Sequence, residues 1–252
     1  MNYIDIKQTT KDLTKWIKDY FDSNGDDNAF AIVGISGGKD SLVVAALCAA
    51  ALGKERVLGV QMPDGDQSDI EDSNAVFDLL GIRHMCVNIG EITRAFYYTL
   101  GEPAATDPAV TTNTPARIRM SVLYAIGAAY GGRIACTSNA SEAYVGYSTK
   151  WGDGVGDFAP LRNLTTEEVC AIGIELGLPH DLVYKTPSDG MSGLSDEDKL
   201  GFKYQEVNTI LRDGSIKNLN PNTFARIAWK HKNAQHKLNP MPIFEPNIIE
   251  GD

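Results

Sequence analysis

AFAIVGISGGKDSLVVAALCAAAL, residues Ala29 to Leu52, decides the fold of this chain. Ala29 to Ile35 are apolar apart from Gly34 and stop abruptly at Ser-Gly-Gly, the pattern of a central strand buried on both faces. From Asp40 onward the run is rich in Ala and Leu, with no breaker before Gly53, so a helix is expected to follow at once. The Gly37-Gly38 pair therefore lies where a strand hands over to a helix N-terminus. Glycines can take backbone angles closed to other residues, which lets successive N–H groups converge on an anion while the helix dipole adds positive potential.

The side chains in SGGKDS narrow that anion. Lys39 precedes Asp40 rather than a hydroxyl residue, and the glycine spacing also departs from G-x-x-x-x-G-K-[ST], so this is not the common P-loop. Ser36 and Ser41 can offer hydroxyls to phosphate oxygens. Asp40 would repel a phosphate unless a hard cation such as Mg²⁺ lay between them, which makes it a candidate metal ligand. The alternative is a tight strand-to-helix turn in which Asp40 only caps the helix.

The chain has 252 residues and a formal net charge of −10, which suits one large α/β domain, read as residues 1–252, and argues against a nucleic-acid surface. Cys48, Cys86, Cys136 and Cys170 are far apart in apolar runs and read as buried, reduced thiols rather than a disulfide or metal framework. No stretch offers about 18 uninterrupted apolar residues and the start has no apolar signal core, so a soluble cytoplasmic protein without membrane partners is expected.

Along the chain, Leu13, Trp16, Ile17 and Tyr20 recur at helical spacing in a segment that should end before SNGDDN. Val57 to Met62 reads as a second buried strand. Ser68-x-x-Glu71 reads as a capping box opening a helix through Leu80, and Arg83 to Ile89 as a third strand. Residues 90 to 112 show little pattern. Thr114-Pro115 then reads as a cap and first-turn pair, with Arg117 and Arg119 just inside a helix that closes at Gly131. A positive charge there opposes the dipole, so these arginines either have an anionic partner or are simply solvated. Arg133 to Thr137 gives a fourth strand. Strands alternating with helices predict a doubly wound, mostly parallel sheet with ligands at the carboxyl ends of its strands.

Directly after that strand comes TSNASEAYVGYSTKWGDGVGDFAPL, residues Thr137 to Leu161, rich in Gly, Ser, Thr and Asp. It follows a strand at the edge where Asp40 also lies, so its charged residues can converge on one cleft. Glu142 could complete a metal site with Asp40. Lys150, Asp153 and Asp157 are separated by glycines, which suits a loop folded round a substrate and equally a solvated loop. Thr165-x-x-Glu168 is a further capping box. KTPSDGMSGLSDEDKLGF reads as a mobile loop or lid, Tyr204 to Leu211 as a helix, and WKHKNAQHKLNP as a basic tail in an otherwise acidic protein.

SGGKDS after a buried strand resembles the signature of the N-type ATP pyrophosphatases, which cleave ATP between the α- and β-phosphates. Together with NTPARIRM, the long TSN-to-APL segment, KTPSDG through SDEDKLGF and the terminal His236-Lys237, the chain resembles NAD synthetase in its ammonia-dependent form. The resemblance implies that Mg-ATP adenylates the carboxylate of nicotinic acid adenine dinucleotide (deamido-NAD), releasing pyrophosphate, and that ammonia then displaces AMP to give NAD. It assigns Gly34, Ile35, Ser36, Gly37, Gly38, Lys39, Asp40 and Ser41 to the ATP phosphates, and Thr137 and Ser188 to ATP. Asp40 and Glu142 fall to Mg²⁺, and Arg117, Lys150, Asp157, His236 and Lys237 to the dinucleotide. Asp153 is the candidate to deprotonate ammonium. A homodimer with the dinucleotide across its interface is implied as well. The chain departs from the family at Thr166, where a lysine is usual and where Lys39 could supply a replacement charge, and at Leu238, which follows His236-Lys237 in place of an arginine.

Overall fold

The computed structural model describes residues 4–24, 28–66, 70–185, 195–214 and 219–246. In chain order these form α1 (Ile6–Asn24), β1 (Ala31–Gly34), α2 (Lys39–Leu52), β2 (Val57–Gln61), α3 (Ile70–Leu80), β3 (Arg83–Cys86), α4 (Gly90–Leu100), α5 (Pro108–Tyr130), β4 (Arg133–Ile134), α6 (Ala140–Val145), α7 (Thr166–Glu175), α8 (His180–Val183), α9 (Asp196–Leu200), α10 (Tyr204–Asp213) and α11 (Pro221–Leu238).

The strands form one parallel sheet in the order β3-β2-β1-β4, with Ala31 opposite both Val57 and Arg133. The strand expected to be central is central. Alternation along β1 sends Ala31, Val33 and Ile35 into a core shared with α1, α2 and α7, and Ile32 into a second core with Leu58, Val60 and the α5 residues Met120, Leu123 and Ile126. Two cores on opposite faces are what a doubly wound sheet requires. Leu42 to Cys48 are buried without a polar stripe, because α2 is enclosed by α1, α7 and the sheet rather than lying at the surface. A third core, with Val145, Leu200, Phe202, Tyr204, Val207 and Ile227, joins α6, α9, α10 and α11.

Several sequence expectations are corrected. β3 is an exposed edge strand that stops at Cys86, although Val87 and Ile89 continue to donate to the carbonyls of Gln61 and Pro63. Cys86 is accordingly exposed, while Cys48, Cys136 and Cys170 are buried free thiols. Residues 90 to 112 are ordered as α4 and the start of α5, which begins at Pro108 with Asp107 capping the N–H of Ala109. Thr114-Pro115 is thus helix interior, and Arg117 lies beyond the first turn. Pro115 has no N–H to offer the carbonyl of Thr111, which accepts the hydroxyl of Tyr97 instead. The basic tail is the helix α11, docked on α6 at Gly146. There φ is +64° and a Cβ would come within 2.3 Å of Ala234, so both backbone angle and packing demand glycine. The capping box at Ser68 and the site residue Ser188 lie outside the described residues. Within the expected lid, Ser195 to Leu200 form a capped short helix. Among the described residues no helix is long and apolar enough to cross a membrane.

α1 runs to Asn24; of the expected face Ile17 is fully buried with Thr10 and Phe21, Leu13 and Tyr20 pack against the same core, and Trp16 is the member left exposed. Phe21 is 1% exposed and meets Phe158 edge-on at 5.4 Å, while Trp16 is 44% exposed. Phe21→Ala is therefore expected to cost about 3–5 kcal/mol in denaturant unfolding. Trp16→Ala should cost far less, and equal costs would contradict this assignment of the helix face.

Candidate active site

The loop after β1 is built from inside. Gly37 has a φ of +81° and sits so close to α3 that a Cβ would lie 2.6 Å from Asp72 Cβ, so only glycine fits. Gly38 is extended and needs no such freedom, contrary to the expectation for the pair. The Ser41 hydroxyl, 3% exposed, donates to the carbonyl of Gly38 at 3.0 Å and so braces the loop; Ser36 is the exposed hydroxyl of the two. The first N–H groups of α2 have no acceptor within the helix, the arrangement with which helix N-termini in general hold anions.

Asp40 and Glu142 are brought together, each in the first turn of a helix rather than on a free loop. Their link is Asn139, a fully buried residue that caps α6. Its Oδ1 accepts the N–H groups of Ser141 and Glu142 at 3.0 Å, its own N–H donates to Glu142 Oε2 at 3.3 Å, and its Nδ2 donates to Asp40 Oδ1 at 3.1 Å. One residue thus holds both carboxylates, Asp40 through its side-chain amide and Glu142 through its backbone N–H. The capping box Asn139-x-x-Glu142 was readable in the sequence but was overlooked there.

Lys39 completes the cluster from below. It is 6% exposed and donates to Asp40 Oδ2 at 2.9 Å. Burial works against its charge, but Asp40 and Glu142 outweigh that and hold its pKa above the ordinary lysine value. Burial and the adjacent charge of Asp40 push the Glu142 carboxyl well above the carboxylate range, although Lys39 pulls the other way. One ammonium does not fully balance two carboxylates in this setting. The donor set therefore fits a hard divalent cation with phosphate oxygens as its remaining ligands; among the described residues no third His, Cys, Asp or Glu joins the pair. Since the Lys39 ammonium is committed to Asp40, it is poorly disposed to replace a charge missing at Thr166. Thr166 lies in the first turn of α7, donating its N–H to Ser141 Oγ, with a buried hydroxyl that has no partner among the described residues.

The other candidates divide. Thr137 is half-buried just past β4, beside the loop that follows β1. Asp153 accepts the N–H of Thr149 at 2.8 Å, and burial of its carboxyl raises its pKa. Lys150 and Lys237 line a common cavity of about 350 Å³, yet their ammoniums bond backbone carbonyls: Lys150 that of His236, Lys237 those of Gly146 and Ser148. Arg117 is exposed and donates to the carbonyl of Lys150 at 3.2 Å. The His236 ring turns back to the carbonyl of Asn233. Asp157 is not directed at a cleft: its Oδ2 accepts the N–H of Ile134 at 2.7 Å, bracing the outer edge of the sheet. Arg162, not singled out from sequence, lines the cavity with the two lysines.

A model of the NAD synthase family matches residues 9–241. The NH(3)-dependent NAD(+) synthetase of Pyrococcus furiosus is 41% identical over 181 residues, 71% of this chain and 70% of that protein. Among solved structures, the NMN synthetase of Francisella tularensis superposes with a TM-score of 0.85 at 30% identity, covering 98% of this chain and 100% of that one. The NH3-dependent NAD synthetase of Campylobacter jejuni superposes with a TM-score of 0.79 at 27% identity, covering 96% and 100%.

The raised Glu142 carboxyl has a measurable consequence in the ligand-free protein. A folded-state pKa above the unfolded one favours folding at low pH, and that contribution is lost as pH rises from the unfolded value of about 4.3 through the folded one. Glu142→Gln keeps a capping side chain and removes the titration. Its stability relative to the native sequence should therefore increase as pH rises across that window in denaturant titrations. A gap that does not change with pH would refute the electrostatic reading of the pair.

Proposed function

The chain belongs to the NAD synthase family, and on that premise we propose that it makes NAD from nicotinic acid adenine dinucleotide, ammonia and ATP. The observation that carries the reading is the Asp40–Asn139–Glu142 linkage at the mouth of the Gly-Gly loop, in a chain whose relatives bear the name NH(3)-dependent NAD(+) synthetase. The nicotinate carboxylate attacks the α-phosphorus of ATP, the bond to the β-phosphate breaks and pyrophosphate leaves. Ammonia then adds to the acyl carbon of the adenylate, AMP leaves and a proton passes to a base.

This chain's residues serve those steps as follows. The loop from Gly34 to Ser41 and the N-terminus of α2 orient the phosphates by backbone N–H groups, with Thr137 and Ser188 on the remainder of ATP. Mg²⁺, held by Asp40 and Glu142, would neutralise phosphate oxygens that otherwise repel the attacking carboxylate. Asp153, more basic than an ordinary carboxylate, takes the proton of ammonium. Arg117, Lys150, Asp157, His236 and Lys237 form the dinucleotide side; Lys150 and Lys237 also tie α11 to the segment after α6, while Asp157 acts from the sheet edge. We also read the protein as one domain, acting as a homodimer in the cytoplasm; its unpaired cysteines and the use of ATP support that setting.

A second reading takes nicotinic acid mononucleotide as the acceptor of ammonia, and the full-length likeness to the Francisella NMN synthetase favours it. The reaction is the same and the substrates differ only in the adenylate half. Purified protein with Mg-ATP, ammonium and either nucleotide, read by mass, separates the two. The dinucleotide is expected to give NAD, AMP and pyrophosphate, and glutamine as sole nitrogen source should give none. Preferential consumption of the mononucleotide would establish the second reading, and ADP with phosphate would overturn both. Asp40→Asn and Glu142→Gln should each lower kcat by about a hundredfold or more, and light scattering should report a dimer.

A further inference from the structure

We infer that Arg162 is the phosphate anchor of the nicotinate nucleotide, a specificity-determining residue resting on the function proposed above. In a chain of net charge −10, the cavity beside α11 is lined by Lys150, Arg162 and Lys237 and, among the described residues, by no Asp or Glu. Its remaining titratable wall, Cys136, stays a neutral thiol because burial raises its pKa. A volume of about 350 Å³ suits part of a nucleotide rather than a lone ion, and Trp151, 56% exposed, offers a planar apolar wall.

Of the three cations, Arg162 is the one with its donors uncommitted. Lys150 and Lys237 bond backbone carbonyls at 2.6 to 3.0 Å, so they hold the wall and contribute charge. The half-buried Arg162 makes no hydrogen bond or ion pair through its guanidinium among the described residues. Its position is rigid nonetheless. Leu161 is 0% and Leu164 7% exposed, Arg162 N–H donates to Ala159, and the Asn163 carbonyl between the leucines accepts Arg212 at 2.9 Å. The planar guanidinium fork carried on this fixed backbone matches two phosphate oxygens.

The partner is a phosphate rather than the nicotinate carboxylate. The carboxylate gives up its charge when it attacks ATP, so a guanidinium bound to it would stabilise the ground state and slow the reaction. The substrate's own phosphate keeps its charge throughout, and holding it orients the pyridine ring without that penalty.

The test compares native protein with Arg162→Gln and Arg162→Lys. KM for the nicotinate nucleotide should rise about tenfold or more in the Gln variant and less in the Lys variant, with kcat and the KM for ATP little changed. Calorimetry should show the Gln variant weakened equally for nicotinic acid adenine dinucleotide and for NAD, which lacks the carboxylate. An unchanged nucleotide KM, a rise in the ATP KM instead, or weakening confined to the acid would each overturn the assignment. If the native protein turns over neither nicotinate nucleotide, the proposed function fails, whereas native turnover with an unaffected Gln variant removes only the anchor.

Discussion

Three ionisable groups of mixed sign at the end of the central strand set the terms for the rest of this structure. Lys39 is buried under the sheet edge because it follows the Gly-Gly turn directly, and a buried ammonium is tolerable only with a carboxylate against it. Asp40 supplies that partner. Glu142 adds a second negative charge whose position is dictated by the cap of a different helix: the backbone N–H of Asn139 donates to its carboxylate, and the Asn139 side chain donates to Asp40. The helices α2 and α6 are thereby locked in mutual register at the carboxyl end of the central strand.

Such a cluster is incomplete by construction. The strain shows in the raised carboxyl of Glu142, which neither Lys39 nor Asn139 fully offsets. A polar network left partly satisfied in a low-dielectric setting is costly, and a site that receives a cation and an anion together is a place where that cost has a use. The scaffold beneath has no such tension: two apolar cores, closed on both faces of β1, hold the loop without borrowing from its polar contacts.

The central strand and the helix behind it were legible because burial on both faces writes an uninterrupted apolar run, and no other element competes for that pattern. Signals at element ends were less secure. Thr114-Pro115 reads as a helix start, but the helix begins at Asp107-Pro108, in a stretch with little pattern, and Pro115 survives inside it because Tyr97, close in space and not in sequence, serves the carbonyl that proline abandons. The tail that looked merely basic is a helix because Ile227 and Ala234 face a core contributed by other segments. In the site, residue type was readable and side-chain direction was not. The resemblance assigns Asp157 and His236 to the dinucleotide; in this structure the Asp157 carboxylate braces the sheet edge and the His236 ring turns back on its own helix. Asn139 and Arg162, neutral in pattern or isolated in a loop, left little trace in a search for charge clusters.

The acidic composition raises one further question, since ATP and a nicotinate nucleotide both arrive as polyanions. Charges at the protein surface act on a ligand only over about 8 Å at physiological ionic strength, whereas charges lining an enclosed cavity are screened far less. The net negative charge therefore does not govern what happens inside the clefts. In the cavity beside α11 the balance is reversed locally by Lys150, Arg162 and Lys237. The lysines also join α11 to the segment after α6, so the same cations that set the potential of the cavity hold its wall in place. Replacing either lysine by a neutral residue would loosen the wall and alter the field together, while Arg162, whose turn is fixed by buried leucines and not by its guanidinium, is where charge can be varied with the architecture left standing.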